Sequence, residues 1–237
     1  MEEKEKVAKR ENPRKGISAT RMLHPFVMDG FEEIEDFNEF MKSAINREHD
    51  LTSRSIEEGA SRLDEEEREQ YYEVFSEDYQ KIGDVFEKLA LDSFVVMLYA
   101  RVETGMATLC NALRQDREKQ KGEKINCDLE SRAYLKQSRL YMEKVLGVDL
   151  KLGNNAQWHE VLGLQTIRNS IVHNKSWLST NNGALKQHIK RGLIELKQRE
   201  DESGGLISGR VRIKSEYVDF ILQQVRKFFQ DIKILEN

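Results

Sequence analysis

Apolar residues recur every three or four positions along most of the chain, the spacing that places them on one face of an α-helix. A first helix is predicted over about 26–47, with an apolar face made by Phe26, Phe31, Ile34, Phe37, Phe40 and Met41. The following segment, about 50–70, is so acidic that a helix formed there would be mostly solvated. A sharper helical face then begins, formed by Tyr72, Phe75, Tyr79, Ile82, Phe86 and Leu89.

The stretch from Phe94 to Leu113 is the most apolar part of the chain, and we expect it to form the central buried helix. One face of this helix carries Val95, Tyr99, Val102, Met106, Leu109 and Leu113. A neighbouring face has small residues that would let another helix approach closely, and its one ionisable group is Glu103. A polar connector is predicted next, over 115–126.

Shorter helices are predicted in the second half of the chain, over 131–145, 155–172 and 183–198. A last helix begins near Ser215, whose hydroxyl can cap it. This helix has a broad apolar face formed by Val218, Ile221, Leu222, Val225, Phe228, Phe229, Ile232 and Leu235.

The period of the pattern changes to two just before the last helix. Residues 211–214 alternate apolar and basic, and the pair Ser208-Gly209 can form a turn, which together predict a small β-hairpin over 204–214. The predicted fold class is therefore all-α, a helical bundle with an N-terminal helical extension and a small β-hairpin before the C-terminal helix.

Composition agrees with a helical protein and excludes several other classes. Only two prolines occur among 237 residues, which favours long helices over a turn-rich all-β fold. The longest apolar run, 94–100, is too short to cross a bilayer, and the N-terminus lacks an apolar signal segment, so a cytoplasmic protein is expected. Two cysteines, Cys110 and Cys127, make neither a disulfide scaffold nor a metal cluster, and no metal or cofactor is expected.

The formal net charge of −4 hides a strong division along the chain. Residues 1–21 sum to +3, residues 22–93 to −14 and residues 94–237 to +7. Long helices that expose charged faces account for single runs of this kind. A contrast between whole segments is less easily explained in this way, and by itself it does not identify a partner.

The segment Ile167-Arg168-Asn169-Ser170-Ile171-Val172-His173-Asn174 places three polar groups with chemical capacity within one and a half helical turns. Asn169 and His173 are four residues apart and share a helix face, and the long Arg168 side chain can bend towards them. An imidazole can move protons near neutral pH, and a guanidinium can hold a phosphate through paired hydrogen bonds. RNA cleavage by internal transesterification needs both capacities. The structural alternative is that His173 caps a helix end and Arg168 pairs with a carboxylate.

This segment resembles the signature of the HEPN (higher eukaryotes and prokaryotes nucleotide-binding) family. Its catalytic members carry Arg, four to six residues and then His, often with a polar residue after the Arg, and Arg168, Asn169 and His173 match these positions. The resemblance covers about residues 70–237. It implies a compact helical domain that works as a homodimer and cleaves RNA, including transfer RNA, without a metal. Many such proteins are toxins or antiviral defence effectors with a neutralising or partner protein.

The resemblance also implies roles for individual residues. His173 would be the general acid/base, Arg168 would bind the scissile phosphate, and Asn169 would orient the site. An acidic residue on the preceding long helix often faces the pair in this family, so Glu103 would hold Arg168 or fix the His173 tautomer, unless it pairs structurally with a basic neighbour. Lys175 occupies the place where antitoxin-modified members often have Tyr, which argues against that control; it would contact RNA phosphate or remain solvated.

The chain is therefore expected to comprise a flexible basic tail (1–21), an acidic helical extension (22–69) and a HEPN-like helical domain (70–237). Two tryptophans, Trp158 and Trp177, flank the motif and would either pack internally or stack on RNA bases. A second function is a non-catalytic helical dimer that binds RNA or protein. A third possibility is autoinhibition, in which the acidic residues of 22–93 cover the basic RNA-binding surface.

Overall fold

A computed structural model describes residues 18–126, 134–147, 152, 155–173, 177–179, 183–198 and 208–234. These residues are mainly α-helical and include one small antiparallel sheet before the last helix, which confirms the predicted all-α class. None of the described helices combines the length and the apolar composition that crossing a membrane requires.

The described part of the N-terminal half, from residue 18 onwards, consists of two helical stretches. Helix α1 (Ala19–Ala60) is longer at both ends than predicted and starts behind Ser18, whose Oγ accepts a hydrogen bond from the Arg21 amide at 3.1 Å. Helix α2 (Glu65–Gln80) continues through a π-helical segment (Lys81–Phe86) into helix α3 (Glu87–Lys121). The predicted boundaries at 21 and 69 therefore lie inside α1 and α2.

The apolar face predicted over 72–89 is only partly buried. Ile82 is buried, whereas Tyr72, Phe86 and Leu89 are 44%, 52% and 56% exposed. The π-helical segment accounts for the exposure of Leu89, because a wider turn adds a residue and rotates the part of the helix that follows it by about 100° relative to the preceding turns. Residues spaced for one face before the segment therefore point elsewhere after it.

Helix α3 (Glu87–Lys121) is the central buried helix, as predicted. It runs further than expected through 115–121 and ends at Gly122, whose φ of 71° is a left-handed conformation suited to glycine. Cys110 lies in the core, and Cys127 lies outside the described residues.

The second half contains helices α4 (Tyr134–Lys144), α5 (Ala156–His173), α6 (Gly183–Lys190) and α7 (Ser215–Ile234). The prediction that Ser215 caps α7 is wrong, since Ser215 is the first helical residue and its hydroxyl donates to Glu216 at 3.3 Å.

Three strands form the sheet: β1 (Trp177–Ser179), β2 (Ile194–Gln198) and β3 (Ser208–Ile213). Their order is β1-β3-β2, and both pairings are antiparallel.

The hairpin is therefore present, but its first strand lies in a segment predicted as helix. The helix expected over 183–198 ends at Lys190 and is followed by Gly192 with a φ of 72°, a conformation that other residues rarely adopt. The pair Ser208-Gly209 belongs to β3 and does not form the turn. Alternating Ile194 and Leu196 supply the strand signal that the helical interpretation overlooked.

The core is a single cluster that includes α1 as well as the later helices. Val27 and Phe31 of α1 are buried with residues of α3, α5 and α7, and the Phe31 and Phe229 rings lie 5.0 Å apart. The N-terminal extension therefore contributes to the core. The packing is close at Gly105, where an added Cβ would lie 2.9 Å from the Phe229 ring and 3.0 Å from Val27.

Replacement of Gly105 by Ala should lower the free energy of unfolding by about 1 kcal/mol, because overpacking a core costs about 1–3 kcal/mol and the better helix propensity of Ala returns about 1. Gly83→Ala is the matched control, since nothing lies within 4 Å of its added Cβ. Urea denaturation measures both variants. Equal stability of the two variants would contradict the close packing at Gly105.

Candidate functional site

The Arg168–His173 segment lies on the last two turns of α5, which is held firmly at its other end and along one face. Asn155 caps the helix, with Oδ1 accepting from the Trp158 amide at 2.7 Å. The buried face consists of Trp158, Val161, Leu164 and Ile167 with Ser170. Packing of this face against α3 and α7 leaves Asn169 and His173 exposed. Arg168 lies between the buried and the exposed face of the helix and is half-buried.

Arg168, Asn169 and His173 contact one another. Arg168 Nη1 donates to Asn169 Oδ1 at 3.0 Å and lies 3.4 Å from His173 Nε2, a long hydrogen bond. This second bond requires Nε2 to be unprotonated, because a guanidinium has donors only. The arrangement therefore presents a positive donor beside a nitrogen that can accept a proton.

The ring of Tyr99 on α3 lies beneath the guanidinium. The central carbon of the Arg168 guanidinium is 5.5 Å from the centroid of that ring, which is within the range of a cation–π contact. The Tyr99 hydroxyl accepts from Gln165 Nε2 at 2.7 Å and donates to Glu103. Tyr99 thus connects the acidic residue of α3 with the basic residue of α5.

Burial raises the pKa of Tyr99 well above its ordinary value, and the charge of Glu103 and its hydrogen bond raise the pKa further. The Gln165 hydrogen bond and the positive charge of Arg168 act in the opposite direction. Tyr99 is therefore a neutral hydrogen-bonding group over the physiological pH range. Its role at this site is to hold its neighbours in place.

Glu103 reaches the site through Tyr99. Among the described residues, no carboxylate lies within ion-pair distance of Arg168. The predicted pairing of Arg168 with a carboxylate is therefore not observed among them. The Nε atom of Arg168 is buried without a hydrogen-bond partner, and the contacts with Asn169 and His173 use only Nη1. Lys175 lies outside the described residues.

A second polar cluster fixes α6 on α5 two helical turns before Arg168. His188 is buried, and its Nε2 lies 2.8 Å from Glu160 Oε2, although the two atoms are poorly aligned for a hydrogen bond. The His188 ring meets the edge of Tyr217 at 5.3 Å. Burial and the Glu160 charge raise the pKa of Tyr217 well above its ordinary value. The cluster is enclosed by α5, α6 and α7, so it serves the packing of α5.

The acidic residues of the extension meet basic residues on other elements. Arg226 on α7 pairs with Glu32 and Glu35 of α1, and Arg212 on β3 pairs with Asp84 at 2.6 Å. In the part of the chain that is described, none of these carboxylates contacts the Arg168–His173 segment. No three His, Cys, Asp or Glu side chains among the described residues are grouped as metal ligands.

The sequence pattern predicts Arg168, Asn169, His173 and Glu103 as site residues, but it does not indicate Tyr99 or Gln165. Their spacing carried a signal: Tyr99 precedes Glu103 by four residues, and Gln165 precedes Arg168 by three, so each shares a helix face with a named residue. Which faces of α3 and α5 meet depends on the tertiary packing.

No model of a protein family matches the sequence, and no curated protein or solved structure matches it.

Replacing Tyr99 by Phe keeps the ring beneath Arg168 and removes only the hydroxyl. We expect the free energy of unfolding to fall by about 1–3 kcal/mol, because the amide of Gln165 and the carboxylate of Glu103 each lose a partner in a partly buried place. Chemical denaturation measures the change. Tyr141→Phe is the matched control, since its hydroxyl donates to the Asn126 carbonyl in an exposed position.

A double-mutant cycle with Gln165→Met tests the contact itself. Because Tyr99 and Gln165 share one hydrogen bond of 2.7 Å, the losses from the two single substitutions should not add, with a coupling of about 0.5–1.5 kcal/mol. Additive losses would contradict a direct contact between the two side chains.

Proposed function

We propose that this chain is a metal-independent endoribonuclease of the HEPN type, acting on RNA from the Arg168–Asn169–His173 cluster. The observation that supports this most directly is the contact of the Arg168 guanidinium with both Asn169 Oδ1 and His173 Nε2. The sequence spacing alone left the relative positions of these groups open. The contact supports the proposal because a guanidinium can bind a phosphate and an unprotonated imidazole nitrogen can accept a proton, and the two groups lie side by side at an exposed surface.

In the proposed reaction, His173 Nε2 accepts the proton of a ribose 2′-hydroxyl as its oxygen attacks the adjacent phosphorus. The O2′–P bond forms, the P–O5′ bond breaks, and the products are a 2′,3′-cyclic phosphate and a free 5′-hydroxyl. For this step the long Arg168–His173 hydrogen bond must break, because the same Nε2 lone pair takes the proton. Arg168 Nη1 then turns with the other donors of the guanidinium to the phosphoryl oxygens and stabilises the charge that develops on them. The departing 5′-oxygen takes a proton from a second imidazole, which a second copy of the chain supplies.

The exposure of the cluster supports action as a homodimer. Val172 is 47% exposed and Leu162 is 37% exposed on the same helix as the exposed His173. A second copy placed against this surface would cover apolar area and bring two clusters together. Two guanidinium groups repel each other unless negative charge lies between them. The RNA phosphate supplies that charge, with Glu103 behind each Tyr99 as a further source.

Toxin or antiviral defence activity follows from the same resemblance, and a neutralising partner protein would be part of it. A toxin of this kind acts on cellular RNA, with transfer RNA as the first substrate to examine. Toxicity of the expressed chain in growing cells, abolished by His173→Ala, measures this role.

The nuclease is tested by incubating purified protein with transfer RNA in EDTA. Loss of general acid/base catalysis should reduce the rate by about 10²- to 10⁴-fold for His173→Ala. Arg168→Lys should also be strongly impaired, because lysine keeps the charge but not the planar pair of donors. His159→Ala is the matched control, an exposed histidine on the same helix, and should leave the rate unchanged.

Three outcomes would count against this function. Equal activity of the wild type and the His173 variant would remove the catalytic role, and a strict metal requirement would remove the mechanism. RNA binding without cleavage under any condition would instead indicate the non-catalytic binding protein.

Deletion of residues 1–69 is not a suitable test of autoinhibition, because Val27 and Phe31 of α1 belong to the core.

A further inference from the structure

The sheet that comes after α5 has one buried face and one open face. Residues Gly209, Val211 and Ile213 of β3 are buried, and Ile194 of β2 is buried opposite Ile213. Alternate residues of a strand point to opposite faces. Arg210 and Arg212, which lie between the buried positions, therefore project from the open face.

The register brings an aromatic residue onto this open face. Trp177 of β1 is paired directly with Arg210 of β3, and residues directly opposite in an antiparallel ladder project on the same side. Trp177 is partly exposed and Arg210 is exposed. The second tryptophan, Trp158, is instead buried, with its ring 5.6 Å from that of Phe228.

Arg212 and Glu195 on the open face form ion pairs with neighbouring side chains, whereas Arg210 pairs with none of the described residues. Arg212 pairs with Asp84 at 2.6 Å, and Glu195 pairs with Lys214 at 2.7 Å. The hydrogen bond and charge of Glu195 raise the pKa of Lys214, which favours the charged form of the lysine. Arg210 forms no ion pair with any described residue. The open face therefore offers an exposed guanidinium beside a partly exposed indole.

The position of this face relates it to the proposed cleavage site. Strand β1 packs beside α5, and Trp177 comes four residues after His173. Four residues of fully extended chain span at most about 14 Å. A nucleic acid strand held at Trp177 is therefore within reach of the His173 imidazole.

We propose that the open face of the sheet is a binding platform for single-stranded RNA, with Trp177 stacking on a base and Arg210 contacting a backbone phosphate. Aromatic residues beside cationic groups bind single strands without base-specific hydrogen bonds, since every base has a stacking face. A duplex keeps its bases stacked on each other and cannot use Trp177 in this way. The proposal depends on the proposed nuclease only for the subsequent cleavage of the bound strand. Binding itself is measurable without cleavage.

The experiment measures binding of a fluorescent single-stranded oligonucleotide whose 2′-hydroxyls are methylated, so that no cleavage occurs. Trp177→Ala should weaken binding by about tenfold or more, the amount expected for one lost stacked base. Trp177→Phe should recover most of the affinity. Arg210→Gln should reduce the slope of log K against log salt by about 0.7, the value for one phosphate contact on a single strand.

Lys227→Gln is the charge-matched control, an exposed lysine twelve residues along α7 from Ser215, about 18 Å from the start of that helix. It should change binding little. Circular dichroism confirms that each variant is folded. Quenching of tryptophan fluorescence by the oligonucleotide gives an independent signal, because quenching in the wild type but not in Trp177→Phe assigns the contact to Trp177.

The outcomes separate this proposal from the nuclease. Equal binding by Trp177→Ala and Lys227→Gln, equal affinity for single and double strands, or no binding by the wild type would each overturn the platform. Loss of cleavage with unchanged binding in His173→Ala supports both proposals. Full cleavage by His173→Ala, with binding still lost in Trp177→Ala, would overturn the proposed catalytic role and leave the platform standing.

Discussion

Helix α3 is packed against α1, α5 and α7 along most of its length, and its buried side chains determine how far each neighbour can approach. Gly105 allows a close contact within the core, where Phe229 of α7 and Val27 of α1 occupy the space a side chain would take. Tyr99 and Glu103, at earlier positions of α3, meet α5 on another face of the same helix. Because α3 is held on several sides, the position of the Arg168 segment relative to Tyr99 is fixed by the core.

The polar groups at the candidate site are arranged so that burial is largely compensated. Tyr99 is almost fully buried, yet its hydroxyl has a donor in Gln165 and an acceptor in Glu103. Its ring in turn faces the guanidinium of Arg168. A buried polar group without a partner costs free energy, so this chain of contacts restricts the orientations open to Arg168. The exposed end of the cluster, Asn169 and His173, remains accessible to solvent.

Ion pairs between distant elements also determine which arginines are neutralised. Some acidic residues of the N-terminal half form ion pairs within the molecule. Glu32 and Glu35 pair with Arg226, and Asp84 pairs with Arg212. Such exposed pairs contribute little to stability individually. Their consequence is that Arg212 is neutralised on the open face of the sheet, while Arg210 has no ion-pair partner among the described residues. The acidic N-terminal half therefore neutralises one of these two arginines, Arg212, and among the described residues it leaves Arg210 without an ion pair.

The sequence by itself determined the helical class, the central position of α3 and the motif at Arg168, Asn169 and His173, because helical periodicity and residue spacing are local properties. It did not determine the strand at 194–198, where pairing with β3 outweighs local helical preference, or the exposure of Leu89, which follows a π-helical turn that shifts the phase of the helix. Only the tertiary structure placed Tyr99 beneath Arg168 and Trp177 beside Arg210. Those contacts join residues that are 69 and 33 positions apart in the chain, and packing and strand register decide them.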